Sequence, residues 1–330
     1  MNNASLRTGC HAYVPGHKTS YGYVPSEAAG IAFVVLFGVS SLLHLGQTLW
    51  SRHWWTVLFF IGGITEVIGW AGRLWSAKCP YNTDAFLMQI TTLILAPTFW
   101  TAALYVILGR LITLSGPSSS PLPPRTYLIL FCGADVVSLV LQAIGGGMAS
   151  VAATANPARD TAPGTNIMVA GIVFQMAAIT VFCAFFGVFL KRTAAMRRGK
   201  AGGGGGQSSR RVMILIVATS VSIAFIYVRS IYRTVELLQG WHGYLITREV
   251  YFVVLDGAMM ACAVVVFNVV HPGWFLVGEG GGGEGKKRGG NDDDDVDMGS
   301  RPFSMASTVE AGKGAGVGGR RGEGGTDAVA

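Results

Sequence analysis

The chain has 330 residues, of which 51% are hydrophobic and only 13% charged, too little charge to coat a soluble globule of that length. Its mean hydropathy is +0.46, and its formal net charge is +7. These values exclude an ordinary soluble enzyme or a nucleic-acid-binding module and predict an all-α, polytopic membrane protein.

In chain order, residues 1–27 show no basic segment leading into a short apolar core and cleavage site, so they read as a retained tail rather than a signal peptide. Seven apolar stretches then follow, at about 28–50, 54–75, 86–113, 126–147, 167–190, 212–236 and 245–270. Each is long enough to cross a hydrocarbon core of about 30 Å. Together they define a seven-helix transmembrane domain over 28–273. The first, third and fifth stretches are the cleanest, while charges dilute the second, sixth and seventh and mark them as functional. Residues 274–330 combine glycine runs, a basic run at 286–288 and an acidic run at 292–295 without hydrophobic periodicity. That composition predicts a disordered tail and no second domain.

Lys and Arg in the short loops set the orientation. With the N-terminus outside, the inner side collects thirteen basic residues, from Arg52 through the cluster at 191–211 to Arg288, against four to six on the outer side. The expected topology is N-terminus outside and C-terminus cytoplasmic, and topology rather than a polyanionic partner accounts for the net charge. The fifth loop, with glycines at 202–206 between basic clusters, is also placed to touch anionic lipids of the inner leaflet.

Four spans carry polar side chains seven residues apart: Glu66 and Arg73, Asp135 and Gln142, Arg229 and Glu236 with Arg233 between them, and Glu249 and Asp256. Seven residues are about two helical turns, so each pair shares a helix face. An unpaired charge in hydrocarbon costs at least about 2.5–3.5 kcal/mol, so these groups must face one another or water. The predicted result is one polar chamber, opening toward the outer side. Its five acids outnumber its three arginines by two. A set of structural fasteners would balance, so the surplus acids are expected to meet a cationic ligand or carry protons.

Other features read more plainly. Pro97 kinks the third helix or shapes a cavity, and the glycines at 145–147 are expected to end the fourth span. Gly62 and Gly63 permit a close helix contact beside Glu66, and Gln89 and Gln175 are able to bond across helices. Trp50, Trp54 and Trp55 read as an interfacial belt. Cys132, Cys183 and Cys262 are expected to be small core residues. Cys10 and Cys79 fall on the outer, oxidising side, where the pair is either bridged or free.

Enzyme readings fail on the residues. No H-E-x-x-H, G-x-S-x-G or G-x-G-x-x-G pattern occurs. A zinc hydrolase needs several converging histidines, and only His44 lies well inside a span, where a packed, hydrogen-bonded role is the expectation. A retinal protein needs a lysine in the seventh span, and 245–270 holds none. Neither metal nor cofactor is expected.

Taken together, the 21–26 segment YGYVPS, Glu66-x-x-Gly69-Trp70-x-x-Arg73, Leu95-Ala96-Pro97, Tyr105-x-x-Leu108-Gly109-Arg110, Asp135 with Gln142-x-x-Gly145-Gly146-Gly147, Arg229-x-x-x-Arg233-x-x-Glu236, Glu249 to Asp256 and His271-Pro272-Gly273 resemble the fungal RTA-like proteins, the lipid-translocating exporter family. The resemblance spans residues 20–273. It implies seven helices, a plasma-membrane location, membrane lipids as partners, and export of amphiphiles such as sphingoid long-chain bases. Trp70 and Val253 stand where that family often carries Tyr. On this reading Glu66, Asp135, Gln142, Glu249 and Asp256 line a ligand or proton pathway, and Arg73, Arg229, Arg233 and Glu236 pair charges around it. The competing expectation is a receptor-like stress sensor or regulator of lipid asymmetry that transports nothing itself.

Overall fold

A polypeptide in hydrocarbon must satisfy its own backbone, and seven helices do so here. The computed structural model describes residues 9–17, 19, 21–155, 159–199, 207–240 and 243–276. Of the tail expected over 274–330, residues 277–330 lie outside them, as do the glycines at 202–206, while 274–275 belong to a short helix. A contact boundary falls at residue 283, and the unit beyond it, 284–330, is likewise outside the described residues.

The helices are α1 (Glu27–Ser51), α2 (Val57–Lys78), α3 (Thr83–Ser115), α4 (Pro124–Thr154), α5 (Ala162–Gly199) and α6 (Gln207–Leu238). The seventh, α7, is regular over Glu249–Phe252 and Met259–Val269 but π-helical over Val253–Ala258. A short α8 (Pro272–Phe275) follows. Among the described residues, seven helical stretches are long and apolar enough to span a membrane. Their ends carry recognisable signals. Ser26 caps α1 by accepting from the Ala29 N–H, and Asn82 caps α3 by accepting from Ala85 at 2.9 Å. Arg52 leaves α1 at a φ of 54°, in the left-handed region, and Pro124 opens α4.

Sequential neighbours pack on one another, α7 closes the ring against α1 and α6, and α3 also touches α5 and α6. Burial follows this arrangement. Over their most apolar windows α1, α4 and α5 are each 28% buried, whereas α3 reaches 56%, so α3 is the axial element and the other three face lipid. The core along it is aromatic, with Phe59, Trp100, Tyr105, Phe131, Phe182 and Phe189 each at most 2% exposed.

Two expectations are corrected. The glycines at 145–147 do not end the fourth span, because α4 continues to Thr154. Gly145 instead lets α4 meet α5 backbone to backbone, since a Cβ there would stand 2.3 Å from the Met168 nitrogen, and one at Gly164 would stand 2.4 Å from the Ala149 nitrogen. Cys262 is not a core residue. It is exposed, while Cys132 and Cys183 are half-buried.

Gly145→Leu therefore forces the α4–α5 seam apart, and overpacking of this kind costs about 1–3 kcal/mol. A lowered thermal midpoint in detergent is expected for it, and none for Gly147→Ala, whose added Cβ meets nothing within 4 Å.

Candidate functional site in the polar interior

Pro97 sits inside α3. It has no N–H to give the carbonyl four residues back, and that carbonyl, on Leu93, accepts from Arg229 Nη2 at 2.6 Å. Arg229 Nε also lies 2.9 Å from Asp256 Oδ1, an ion pair without hydrogen-bond alignment. One guanidinium thus ties α6 to the proline gap of α3 and to the π-helical turn of α7. That turn is held close by Gly257, where a Cβ would stand 2.5 Å from the Trp70 ring.

The other arginines are paired as well. Arg233 Nη1 donates to Glu236 Oε2 at 2.6 Å, with its Nε 3.9 Å from Asp256, and the Tyr232 hydroxyl donates to Glu236 Oε1 at 2.8 Å. Arg73 Nη2 donates to Glu249 Oε1 at 2.8 Å and to the Tyr23 hydroxyl at 2.9 Å. Its guanidinium lies 4.5 Å from the Phe252 ring centre and 5.6 Å and 5.7 Å from those of Tyr21 and Tyr23. Breaking a buried pair by removing one partner costs about 3–5 kcal/mol, so each pair is also a structural element.

This pairing locates the two surplus acids. Glu66 and Asp135 have no arginine within salt-bridge distance among the described residues. Glu66 is 1% exposed, and its Oε1 has no hydrogen-bond partner. Asp135 accepts on one oxygen, Oδ2, from Thr101 and from Tyr105, both at 3.0 Å. It lines a cavity among α3, α4, α5 and α6, with Pro97, Thr101, Gln142, Gln175, Arg229 and Arg233. Gln142 Nε2 donates to Gln175 Oε1 at 3.0 Å, which bridges α4 and α5. The cavity volume is about 40 Å³, room for about three waters or one small polar headgroup. Its walls are completed by Ile94, Ile172, Met176, Ile179 and Ile226 and by the hydroxyl residues Ser230 and Thr234.

The single chamber expected from the sequence is therefore divided. Arg73 and Glu249 sit near the end where α2 finishes and α7 starts, and the N-terminal segment covers them. Ser26 N–H donates to Glu249 at 2.8 Å, and the Tyr21 hydroxyl donates to Gln89 at 2.6 Å beside Ser76. Gln89 thus bonds the N-terminal segment rather than a neighbouring span. Val14 exchanges hydrogen bonds with the Tyr81 hydroxyl, Asn82 donates to Gly9, and a disulfide joins Cys10 to Cys79, whose Cα atoms are 4.7 Å apart. Residues 9–17, 19 and 21–25 form a strap. Glu66 and Asp256 lie in the middle of the bundle, and Asp135 belongs to the α3–α6 cavity.

Leu93 and Thr101 were not singled out from the sequence, yet with Pro97 and Tyr105 they recur every four residues and so share one face of α3, a pattern that was available. The roles of Tyr21 and Tyr23 had no such signal, since nothing local says that a tail folds back. His44 is buried as expected, stacks on Phe59 with ring centres 5.2 Å apart, and stands beside the Val264 backbone, without an aligned hydrogen bond at either nitrogen.

A family model described as RTA1 like protein matches residues 59–279, two thirds of the chain. The protein belongs to the RTA1-like family. The sphingoid long-chain base transporter RSB1 of Saccharomyces cerevisiae is 33% identical over 286 aligned positions, which cover 78% of this chain and 74% of the relative. Protein RTA1 of the same yeast is 30% identical over 76% of this chain and 84% of its own. Protoporphyrin uptake protein 1, also from that yeast, is 29% identical over 76% and 90%. No solved structure matches the chain. At family level this is a multi-pass membrane lipid transporter. The matched region begins within α2, so it takes in Glu66 and every arginine of the interior but not the strap.

Two outcomes follow from this geometry. Pro97→Ala restores an N–H that competes with Arg229 for the Leu93 carbonyl. In that background Arg229→Met is expected to cost about 1–2 kcal/mol less than in the wild type, within the range of coupling between contacting residues, as a double-mutant cycle of detergent unfolding would read. The second concerns Tyr21, whose phenol burial pushes up to about 12. Its folded value lies above the unfolded 10, so its contribution is complete below pH about 10 and is lost as pH rises toward 12. Thermal midpoints measured at pH 9 and 11 should fall further for the wild type than for Tyr21→Phe.

Proposed function

We propose that this protein translocates amphiphiles with a cationic headgroup, of the sphingoid long-chain base kind, with Asp135 as the headgroup acceptor. The observation that carries the reading is the charge state of the α3–α6 cavity. Its arginines are already engaged with carboxylates, whereas Asp135 is engaged only by two hydroxyls through one oxygen. A carboxylate in that setting has capacity for an ammonium, and Gln142 and Gln175 beside it are suited to the hydroxyls of such a headgroup. The cavity has room for the ammonium end of a headgroup, so the alkyl chain stays along the apolar side chains or in the bilayer.

Relatives named for a sphingoid base transporter and for protoporphyrin uptake support an amphiphilic cargo in general. An anionic cargo is disfavoured because it would have to displace Asp256 or Glu236 from its arginine. Glu66, Glu249 and Asp256 act on this reading as charge-balancing or proton-accepting groups rather than as headgroup ligands. The protein works as a transporter and not as a catalyst, in the plasma membrane, with its N-terminus outside, its C-terminus cytoplasmic and the basic fifth loop against inner-leaflet anionic lipids. The excess of Lys and Arg on one side of the bundle supports that orientation.

The test is movement of a fluorescent sphingoid base between leaflets of liposomes containing the purified protein. Asp135→Asn keeps the size of the side chain and removes the charge. At least a tenfold loss of movement is expected, equivalent to about 1.4 kcal/mol. Movement unchanged by the substitution sinks the assignment of Asp135. Binding without movement beyond protein-free liposomes replaces the transporter with a receptor-like sensor.

A further inference from the structure

Buried polar atoms without hydrogen-bond partners are rare, because each costs about 1–3 kcal/mol. Here they are concentrated on one side of α3, away from the headgroup cavity. Both nitrogens of His271 are buried without hydrogen-bond partners, as are His53 Nε2 and Trp100 Nε1, while His44 stands beside the Val264 backbone and the Trp70 indole beside the Glu66 carboxyl, neither pair in aligned hydrogen-bond geometry. His44, His271, Trp70 and Trp100 are each 0% exposed.

These groups are also neighbours in space. Gly273, two residues past His271, packs on Ser51 close to His53, where an added Cβ would stand 2.7 Å from the Ser51 hydroxyl and 3.0 Å from His271 Nδ1. The His271 and His44 rings are 6.2 Å apart, and those of His44 and Trp100 are 5.4 Å apart. The Trp100 indole nitrogen lies against Gly62, 2.5 Å from the place of a Cβ there, one helical turn before Glu66. Trp70 follows one turn after it. Thr101 faces the headgroup cavity while Trp100, the residue before it, faces this file.

Imidazole nitrogens without aligned partners are accounted for if water reaches them, since ordered water occupies buried sites that offer it two or more polar partners. We propose that the α1–α2–α3–α7 side of the bundle is a hydrated proton relay, running from His53 and His271 through His44 to Glu66, separate from the headgroup cavity.

The step is an exchange of one proton. An imidazole nitrogen of His271 accepts it from water at the α1–α2 loop end and returns to the neutral ring by passing it to water beside His44. His44 does the same in turn, and the Glu66 carboxylate accepts it to become the neutral acid, then regains its charge by releasing the proton to water on the Asp256 side of the bundle. The indole N–H groups of Trp100 and Trp70 orient water without giving up their protons. The charged groups around the file are Arg110 near His53, and Arg229 and Asp256 beside Glu66. Beside His44 stand His271 and the rings of Phe59 and Trp100.

The relay goes beyond the cargo assignment and is tested apart from it. The first readout is hydroxyl-radical labelling of the full-length wild-type protein in lipid nanodiscs, generated from water by an X-ray pulse. After correction for intrinsic reactivity, His44, His271 and Trp100 should be oxidised at least tenfold faster than Phe182 and Phe189, which are equally buried. Labelling no faster than those phenylalanines means a dry interior and overturns the proposal. The second readout is proton flux into liposomes under an imposed pH difference, followed with an entrapped pH-sensitive dye. His44→Phe and Glu66→Gln should each lower the flux at least tenfold, while Asp135→Asn leaves it in place. Wild-type vesicles no more permeable to protons than empty ones, with or without a sphingoid base, or a His44→Phe protein that conducts normally, overturn the relay. If His44→Phe does not fold, the labelling of the wild type decides. Lipid movement lost in Asp135→Asn with proton flux retained separates a correct relay from an incorrect cargo.

Discussion

A guanidinium in hydrocarbon has to be met on every side, and Arg229 shows how this bundle does it. Its partners come from two other helices, the Leu93 carbonyl that Pro97 leaves without an N–H and the carboxylate of Asp256 on the π-helical turn. Remove any one of the three elements and a charge or a carbonyl is stranded in a medium that cannot solvate it. The positions of α3, α6 and α7 are fixed by that shared constraint, and the cavity of Asp135 is the space left on its far side.

Much of the architecture is legible in the sequence because a bilayer permits few solutions. Spans at apolar stretches, charges confined to shared helix faces and the surplus of two acids all follow from the cost of burying charge. The structure assigns that surplus to Glu66 and Asp135 by giving every arginine of the interior a different carboxylate. What one chain read linearly does not carry is which helix faces which. Periodicity placed Glu249 and Asp256 on one face of one helix, but their partners stand on α2 and α6, so one expected chamber becomes separate sites. The glycines at 145–147 look like a stop, because glycine both breaks helices and lets them touch, and only the presence of Gly164 and Met168 opposite decides between the two. The strap is invisible for the same reason: Tyr21 and Tyr23 find Gln89 and Arg73 through tertiary contact alone.

The family resemblance and the physical reading meet at different residues. Motifs around Glu66, Arg73, Arg229 and Glu236 identify the scaffold, and of those residues Arg73 and Arg229 hold the bundle together through ion pairs between helices. Pairing is incomplete around Asp135, Gln142 and Gln175, the group to which the proposed function assigns the cargo. The strap adds a further contrast, because it lies outside the region shared with the family model yet contributes to the burial of Arg73.

The π-helical turn of α7 carries a consequence for how this helix serves two masters. In a regular helix each residue advances about 100°, so residues seven apart return to nearly the same azimuth. A wider turn between Glu249 and Asp256 breaks that return and lets the first reach Arg73 on α2 while the second reaches Arg229 on α6. The turn therefore works as a phase shifter. A wave of bond exchange that moved it along α7 by a few residues would swing one carboxylate relative to the other without sliding the helix, so that the two ion pairs are coupled by rotation rather than by distance.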